Sequence, residues 1–266
     1  MANSVFHFGE VGLLGALRAP VRLQRRSAAV VLCNPLSEEA NRAHRLYRVI
    51  AGELARQGYA TLRFDYRCTG DSAGDEADAR LDEWVEDVVT AAGEAMQRAG
   101  VDRVVLCGAR LGATLAALAA ATGYVRVRQL VLWDAVIEGR TYLRDLAETQ
   151  VTFLREELVP HRAAQLRITD VPTEYLGLPL SASLAAAMAA IDLAAAEPLA
   201  DRISVIRTRV TDEQQRLEAA WRGRPGVSFM DVPASENWNS DAALNAATVP
   251  AEVVRAIVKC IEEQNP

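Results

Sequence analysis

Three apolar, β-branched runs along the chain each stop at a turn signal. Ala28–Cys33 (AAVVLC) runs into Asn34-Pro35, Ala60–Phe64 (ATLRF) into Asp65, and Val101–Cys107 (VDRVVLC) into Gly108. Runs this continuous fit strands covered on both faces, as in a parallel sheet. Between them the apolar spacing changes to three and four residues. Ala40–Gln57 repeats through Leu46, Val49, Ile50 and Leu54 and stops at Gly58. Leu81–Ala99 repeats through Leu81, Trp84, Val85, Val88 and Val89 and stops at Gly100. Both predict amphipathic helices with a glycine stop. Leu111–Ala121 is apolar on every side, which predicts a buried helix.

Gln129–Trp133 (QLVLW), Ile203–Thr208 and Val227–Asp231 read as further strands, and Val249–Ile261 as a closing helix. Strand alternating with helix predicts an α/β fold, a mostly parallel central sheet with helices on both faces. Two short strands around Gly9 and Gly12, within Val5–Leu17, would add an antiparallel edge. The stretch Ala135–Glu197 carries helical patterns without a clear sheet strand. It is expected to be an inserted helical cap, so that residues 1–134 and 198–266 form the core and 135–197 the cap.

Composition narrows the function classes. The chain has 266 residues, half of them apolar, and a net charge of −6. No basic block exists, which excludes a nucleic-acid footprint. The longest apolar stretch, Leu111–Gly123, is too short for the roughly 20 residues of a membrane span. Met1–Glu10 lacks a basic-then-apolar export pattern. Cys33, Cys68, Cys107 and Cys260 are scattered with no CxxC pair, which favours free thiols in a reducing compartment and no zinc knuckle. The expectation is a cytoplasmic protein without metal or cofactor.

The chemistry centres on Val104–Ala113 (VVLCGARLGA): a strand, then small-x-Arg-x-small, then a helix. Gly108 and Gly112, with Ala109 and Ala113, leave room for a sharp strand-to-helix turn that exposes the residue at its tip. The segment resembles the nucleophile elbow of the α/β-hydrolases, with Arg110 where the attacking serine stands. Phe64–Gly74 (FDYRCTGDSAG) resembles the FDxRGxGxS segment of the serine-aminopeptidase-like branch, and Asn34–Glu39 (NPLSEE) its oxyanion loop. Trp133–Leu143 (WDAVIEGRTYL) and Glu174–Leu193 (EYLGLPLSASLAAAMAAIDL) are similar to the exosortase-A-system-associated hydrolases of type 2, a group with arginine in its elbow as well.

The resemblance implies an α/β-hydrolase fold and a role in a bacterial pathway making a polysaccharide or a related specialised product. It places the catalytic acid after Ile203–Thr208, at Asp212, with Asp134 as a second candidate. It places the catalytic histidine in Val232–Asp241 (VPASENWNSD), which contains none; Trp238 falls near the missing position, and the last histidine is His161. Nucleophilic catalysis needs a nucleophile with a base in reach. Arginine stays protonated and does not attack. Conventional serine-hydrolase chemistry is therefore not expected, and the chain reads as a pseudo-hydrolase with a degenerate triad.

An arginine there still has uses. The inherited oxyanion hole would be the N–H groups near Leu36 and at Leu111, at the positive end of the following helix. Arg110 adds a full charge, so the site would favour a carboxylate, a phosphate or an acidic side chain. Either Arg110 faces the pocket and clamps an anion, or it pairs internally with Asp134, Asp212, Glu38 or Glu39. Glu38 and Glu39 are also candidates for a general base or for ordinary first-turn acids. His44 is a candidate proton carrier or a surface residue. Cys68, beside Arg67, would need a lowered pKa and a base to act as a nucleophile. Ser72 reads as part of a turn, and Cys33 and Cys107 as buried hydrophobes. The cap's apolar faces, such as Leu143, Leu146, Leu178 and Leu184, either pack on the core or line an apolar pocket beside the charge. Three functions remain open: binding or transforming an anionic or acyl small molecule, a scaffold for a protein of the same pathway, or a residual esterase or thioesterase using Cys68 or an activated water.

Overall fold

A computed structural model describes residues 3–22, 26–157, 173–232 and 250–263. The strands of the main sheet are β1 (Ser4–Phe8), β2 (Leu13–Arg18), β3 (Ala29–Cys33), β4 (Thr61–Phe64), β5 (Val104–Ala109), β6 (Val127–Trp133), β9 (Ala200–Arg207) and β10 (Val227–Asp231). A two-stranded hairpin, β7 (Glu174–Tyr175) and β8 (Leu178–Pro179), stands apart. The eight strands lie in the order β1-β2-β4-β3-β5-β6-β9-β10. From β4 to β10 all pairings are parallel, while β2 runs antiparallel to both β1 and β4. The alternating pattern thus becomes the expected sheet, and the segment around Gly9 and Gly12 its antiparallel edge.

Helices α1 (Ser37–Arg56), α2 (Leu81–Ala99), α3 (Leu111–Ala121), α4 (Gly139–Glu157), α5 (Ala182–Ala189), α6 (Asp212–Trp221) and α7 (Ala251–Glu263) complete the described elements, with short 3₁₀ turns at Glu76–Asp78 and Leu193–Ala195. The sheet separates two apolar cores. One holds Leu46, Ile50 and Leu54 of α1 against Val30, Val105 and Ile257 of α7. The other holds Trp84 and Val88 of α2 and Leu115 of α3 against Val31, Leu106 and Leu132. Strand side chains alternate between these cores, yet both sides are buried, so the runs are apolar throughout.

Several boundaries differ from the pattern by one to three residues, and two of them, beside the site, have a clear physical reason. The strand read as Val101–Cys107 is paired from Val104 and continues to Ala109. Asp102 and Arg103 precede it, and the small Gly108 and Ala109 carry the strand to the turn. The helix read from Ala40 begins at Ser37, because Ser37-Glu38-Glu39 form a polar first turn ahead of the apolar repeat.

Between β6 and β9 the described chain holds α4, the hairpin, α5 and a 3₁₀ turn. Its two ends are tied together: Gly139 N–H donates to Ile191 O at 3.0 Å and Leu193 N–H to Ile137 O at 2.8 Å. Tyr142, Leu143, Leu146, Leu178 and Leu184 are all buried in the same core as α2 and α3. Among the described residues no helix is long and apolar enough to cross a membrane.

Candidate functional site

The site is built at the junction of β5 and α3. Arg110 is its tip, with φ 50° and ψ −126°. A non-glycine residue held there stores about 1–3 kcal/mol of strain and persists only where its surroundings hold it. Here Arg110 N–H donates to Trp133 O at 3.0 Å, and its carbonyl accepts from Ala113 N–H at 3.1 Å and Thr114 N–H at 3.3 Å. Two glycines make the turn compact. A Cβ on Gly108 would lie 2.5 Å from the Gly112 backbone, and one on Gly112 would lie 2.3 Å from the carbonyl oxygens of Cys33 and Asn34. The start of α3 therefore seats directly on the end of β3. Leu111, whose N–H opens the helix and has no intrahelical acceptor, comes to the same cavity wall as Leu36, which precedes α1.

The Arg110 side chain turns to an internal partner. Its Nε donates to Glu39 Oε1 at 3.1 Å, and Glu39 Oε2 accepts from the Tyr142 hydroxyl at 2.9 Å. The guanidinium also lies 5.2 Å from the centre of the Tyr142 ring. Glu39 is 1% exposed, while the Arg110 side chain keeps 22%. Burial alone would push the guanidinium's pKa down, but Glu39 and Tyr142 outweigh it and raise the value, so Arg110 stays a cation. The Tyr142 hydroxyl is pushed up by burial and by Glu39, and remains a donor. Of the four acids read as possible partners, the structure brings Glu39 to Arg110.

The other candidates lie elsewhere. Glu38 accepts from Asn41 Nδ2 at 3.0 Å and lies 3.9 Å from Arg42. Asp134 follows β6 at φ 43°, and its carboxylate accepts from Thr208 N–H at 2.8 Å and Thr208 Oγ1 at 2.5 Å. Burial pushes that carboxyl up against the pull of Thr208 and Arg110. Asp212 is exposed in the first turn of α6, where Thr211 is the cap. Cys68 is buried under Gly74, and burial followed by Glu83 and Asp78 pushes its thiol up, against the weaker pull of Arg67. The Arg67 guanidinium is held by Asp87 at 2.7 Å. Ser72 serves a turn, its hydroxyl donating to Asp65 O at 2.7 Å and accepting from Leu14 N–H at 2.8 Å. Burial holds the Cys33 and Cys107 thiols far above the usual thiol range. Trp238 and His161 lie outside the described residues.

Beside the elbow is a cavity of about 540 Å³. Leu36, Leu111 and Leu115 line it with Leu178 of β8; Asn34, His44, Arg63 and Asp65 supply polar wall. Asn34 Nδ2 donates to Phe64 O at 2.8 Å and to Asp65 Oδ1 at 3.3 Å. His44 is exposed on α1, and its pKa is lowered from 6.5 by burial, then by Arg63 and Arg48. Its resonance in a proton NMR titration is therefore expected to have a midpoint below 6.5. In Arg63→Met that midpoint should rise, since one of the opposing charges is gone. An unchanged midpoint would show that Arg63 does not act on it. Among the described residues no group of histidine, cysteine and acidic side chains is placed to hold a metal.

Sequence reasoning missed Tyr142, Arg63 and Asp65. Tyr142 and Asp65 both fall in segments that carried the resemblance, WDAVIEGRTYL and FDYRCTGDSAG, so position within a motif was the available signal. Arg63 had none.

Strand order, the antiparallel edge and the strained turn between β5 and α3 together define an α/β-hydrolase. Residues 24–213 match the family described as serine aminopeptidase, S33, and the chain belongs to that family. A comparison with curated protein sequences returns no match. Solved structures share the fold at low identity. Est1E from Butyrivibrio proteoclasticus with ferulic acid bound superimposes at TM-score 0.66 and 16% identity, covering 98% of each chain. A thermophilic esterase from Thermogutta terrifontis, malate bound, gives 0.60 and 17% over 100% of each chain. Mouse alpha/beta hydrolase domain-containing protein 10 gives 0.60 and 18% over 99% of each.

Proposed function

We propose that this protein binds an anionic or acyl-bearing small molecule in the cavity beside the elbow, without Ser-His-Asp chemistry, as part of a bacterial polysaccharide or related specialised pathway in the cytoplasm. One observation carries the reading. The elbow backbone is kept at φ 50°, but its tip is a guanidinium bound to Glu39 instead of a free hydroxyl. A protonated arginine supplies no electron pair for acyl transfer. Its internal pairing also argues against Arg110 as the ligand's own clamp.

The cavity supports binding. Its volume falls in the roughly 300–1,000 Å³ range of small-molecule sites, and its wall mixes leucines with a few polar groups. The first two solved relatives described above hold ferulic acid and malate, both carboxylic acids, which supports an anion as the ligand class. His44 and Asp65, both on the wall, are the available proton carriers if the ligand is transformed. A second reading is favoured by the sealed Arg110–Glu39 pair: an inert scaffold that contacts a partner protein and takes no small molecule.

Ester turnover and ligand binding separate these. The wild type is expected to give no p-nitrophenyl ester hydrolysis above buffer and no fluorophosphonate labelling at serine. Arg110→Ser is expected to remain inactive, because Val232–Asp241 holds no histidine to activate the new hydroxyl. Medium-chain carboxylates such as octanoate are expected to raise the melting temperature of the wild type. Stoichiometric serine labelling would overturn the proposal outright. Ester turnover lost in Cys68→Ser would establish the residual-hydrolase reading, and no response to any carboxylate would leave the scaffold.

A further inference from the structure

The described chain contains several sheltered arginines, and most have an acid. Arg67 holds Asp87 at 2.7 Å, Arg110 holds Glu39 at 3.1 Å, and Arg207 holds Asp231 at 2.7 Å. Arg63 differs. It lies on β4 between Ala16 of β2 and Leu32 of β3, is half-buried, and lines the cavity. Among the described residues its side chain makes no ion pair and no hydrogen bond. A sheltered charge with no partner among the described residues carries a desolvation cost that a bound anion would offset.

Its surroundings deepen the deficit. Burial opposes the charge most, then Arg48; Arg18 opposes it as well, and Asp65 is the attracting group. Asp65 is beyond ion-pair distance, and its oxygens already accept from Asn34 Nδ2 at 3.3 Å and Asp71 N–H at 3.3 Å. His44 stands on the same wall, one helical turn before Arg48. Asp71 and Glu76 also reach the cavity, but both are exposed to solvent. The local balance at Arg63 is thus cationic, in a protein whose net charge is −6.

Another part of the cavity wall is apolar. Leu111 and Leu115 belong to the helix that follows β5, and β3 separates β4 from β5 in the sheet. Two strand spacings, about 10 Å, therefore lie between the Arg63 strand and the elbow strand. That span matches a medium-length alkyl chain.

We propose that Arg63, backed by Arg48 and His44, anchors the carboxylate or phosphate head of an amphiphile whose apolar part lies against Leu36, Leu111 and Leu115. This rests on the proposed function, since it assigns a ligand to the same cavity. It moves the anion site from Arg110, which Glu39 occupies, to a strand two positions away. A bound anion would supply Arg63 with hydrogen-bond acceptors that the described residues do not.

Isothermal titration with three probes tests it: octanoate, octyl phosphate and uncharged octanol. The wild type should bind at least one anion more tightly than octanol. Arg63→Met should weaken that anion at least tenfold, leave octanol unchanged, and melt no lower than the wild type without ligand, because no internal ion pair is lost. Arg63→Gln serves as a second variant with the same expectation. If the anion binds Arg63→Gln or Arg63→Met as it binds the wild type, the anchor assignment falls while the proposed function stands. If anion and octanol weaken together, the anchor assignment also falls. If the wild type binds neither anion, both fall. The stronger of the two anions identifies the head group.

Discussion

Arg110→Met is expected to destabilise the protein by about 3–5 kcal/mol, the usual result of removing one partner from a buried ion pair. The size follows from what is left behind. Glu39 is 1% exposed, so its carboxylate loses the Arg110 charge at 3.1 Å while staying out of water. Glu39→Gln is expected to cost less, about 1–3 kcal/mol, because the Arg110 side chain is 22% exposed and recovers water. The double variant Glu39→Gln/Arg110→Met should lie closer to the wild type than Arg110→Met alone, since a neutral amide still accepts from Tyr142. Urea melts of the four proteins close the cycle, and the coupling should exceed 1 kcal/mol in favour of the pair, within the range found for groups in contact. Additive losses would mean that Arg110 and Glu39 are held independently. Arg110→Gly provides an internal check. It removes the charge beside Glu39 equally, but releases the strain at φ 50°, so it should be less destabilising than Arg110→Met.

Why Glu39 and not Glu38 was in fact readable. Glu39, Ala43, Leu46, Ile50 and Leu54 fall on one helical stripe, and all are buried. Starting the helix at Ala40, where the apolar repeat begins, cuts off the turn that puts Glu39 on it. The elbow was legible because it is local: two glycines at fixed spacing between an apolar run and a buried helix specify a close backbone approach whatever the tip residue is. The sheet was legible for the same reason, since its central strands are short runs covered on both faces. Tyr142 was hidden by distance, 103 residues from Glu39 in sequence and on α4, outside the strands of the main sheet. Helix α6 was hidden by composition, because its buried side is a narrow strip of Gln214, Leu217 and Trp221. Arg63 was hidden by contrast: what marks it is the lack of a partner among the described residues around it, and a sequence shows residues, not the distances between them.

Gly112→Ala is expected to cost about 3 kcal/mol, the upper end of the usual penalty for overpacking. Two effects compete. Alanine restricts the unfolded chain and favours the helix, which together stabilise by about 0.5–1 kcal/mol where there is room. At Gly112 there is none. The new methyl would lie 2.3 Å from the carbonyl oxygens of both Cys33 and Asn34. Those oxygens are backbone at the end of a central strand and have no rotamer to change. The helix must therefore lift from β3, which draws Leu111 away from Leu36 and alters the cavity they share. Gly93 makes the decisive comparison: it is exposed in α2, and a Cβ there meets nothing within 4 Å. Gly93→Ala should stabilise by about 0.5–1 kcal/mol through the favourable effects alone. Opposite signs at two helical glycines, read from urea midpoints, would show that Gly112 is required by contact with β3 and not by backbone freedom. If Gly112→Ala melts like the wild type, the close seating of α3 on β3 is wrong, and with it the shared wall on which the proposed binding site depends.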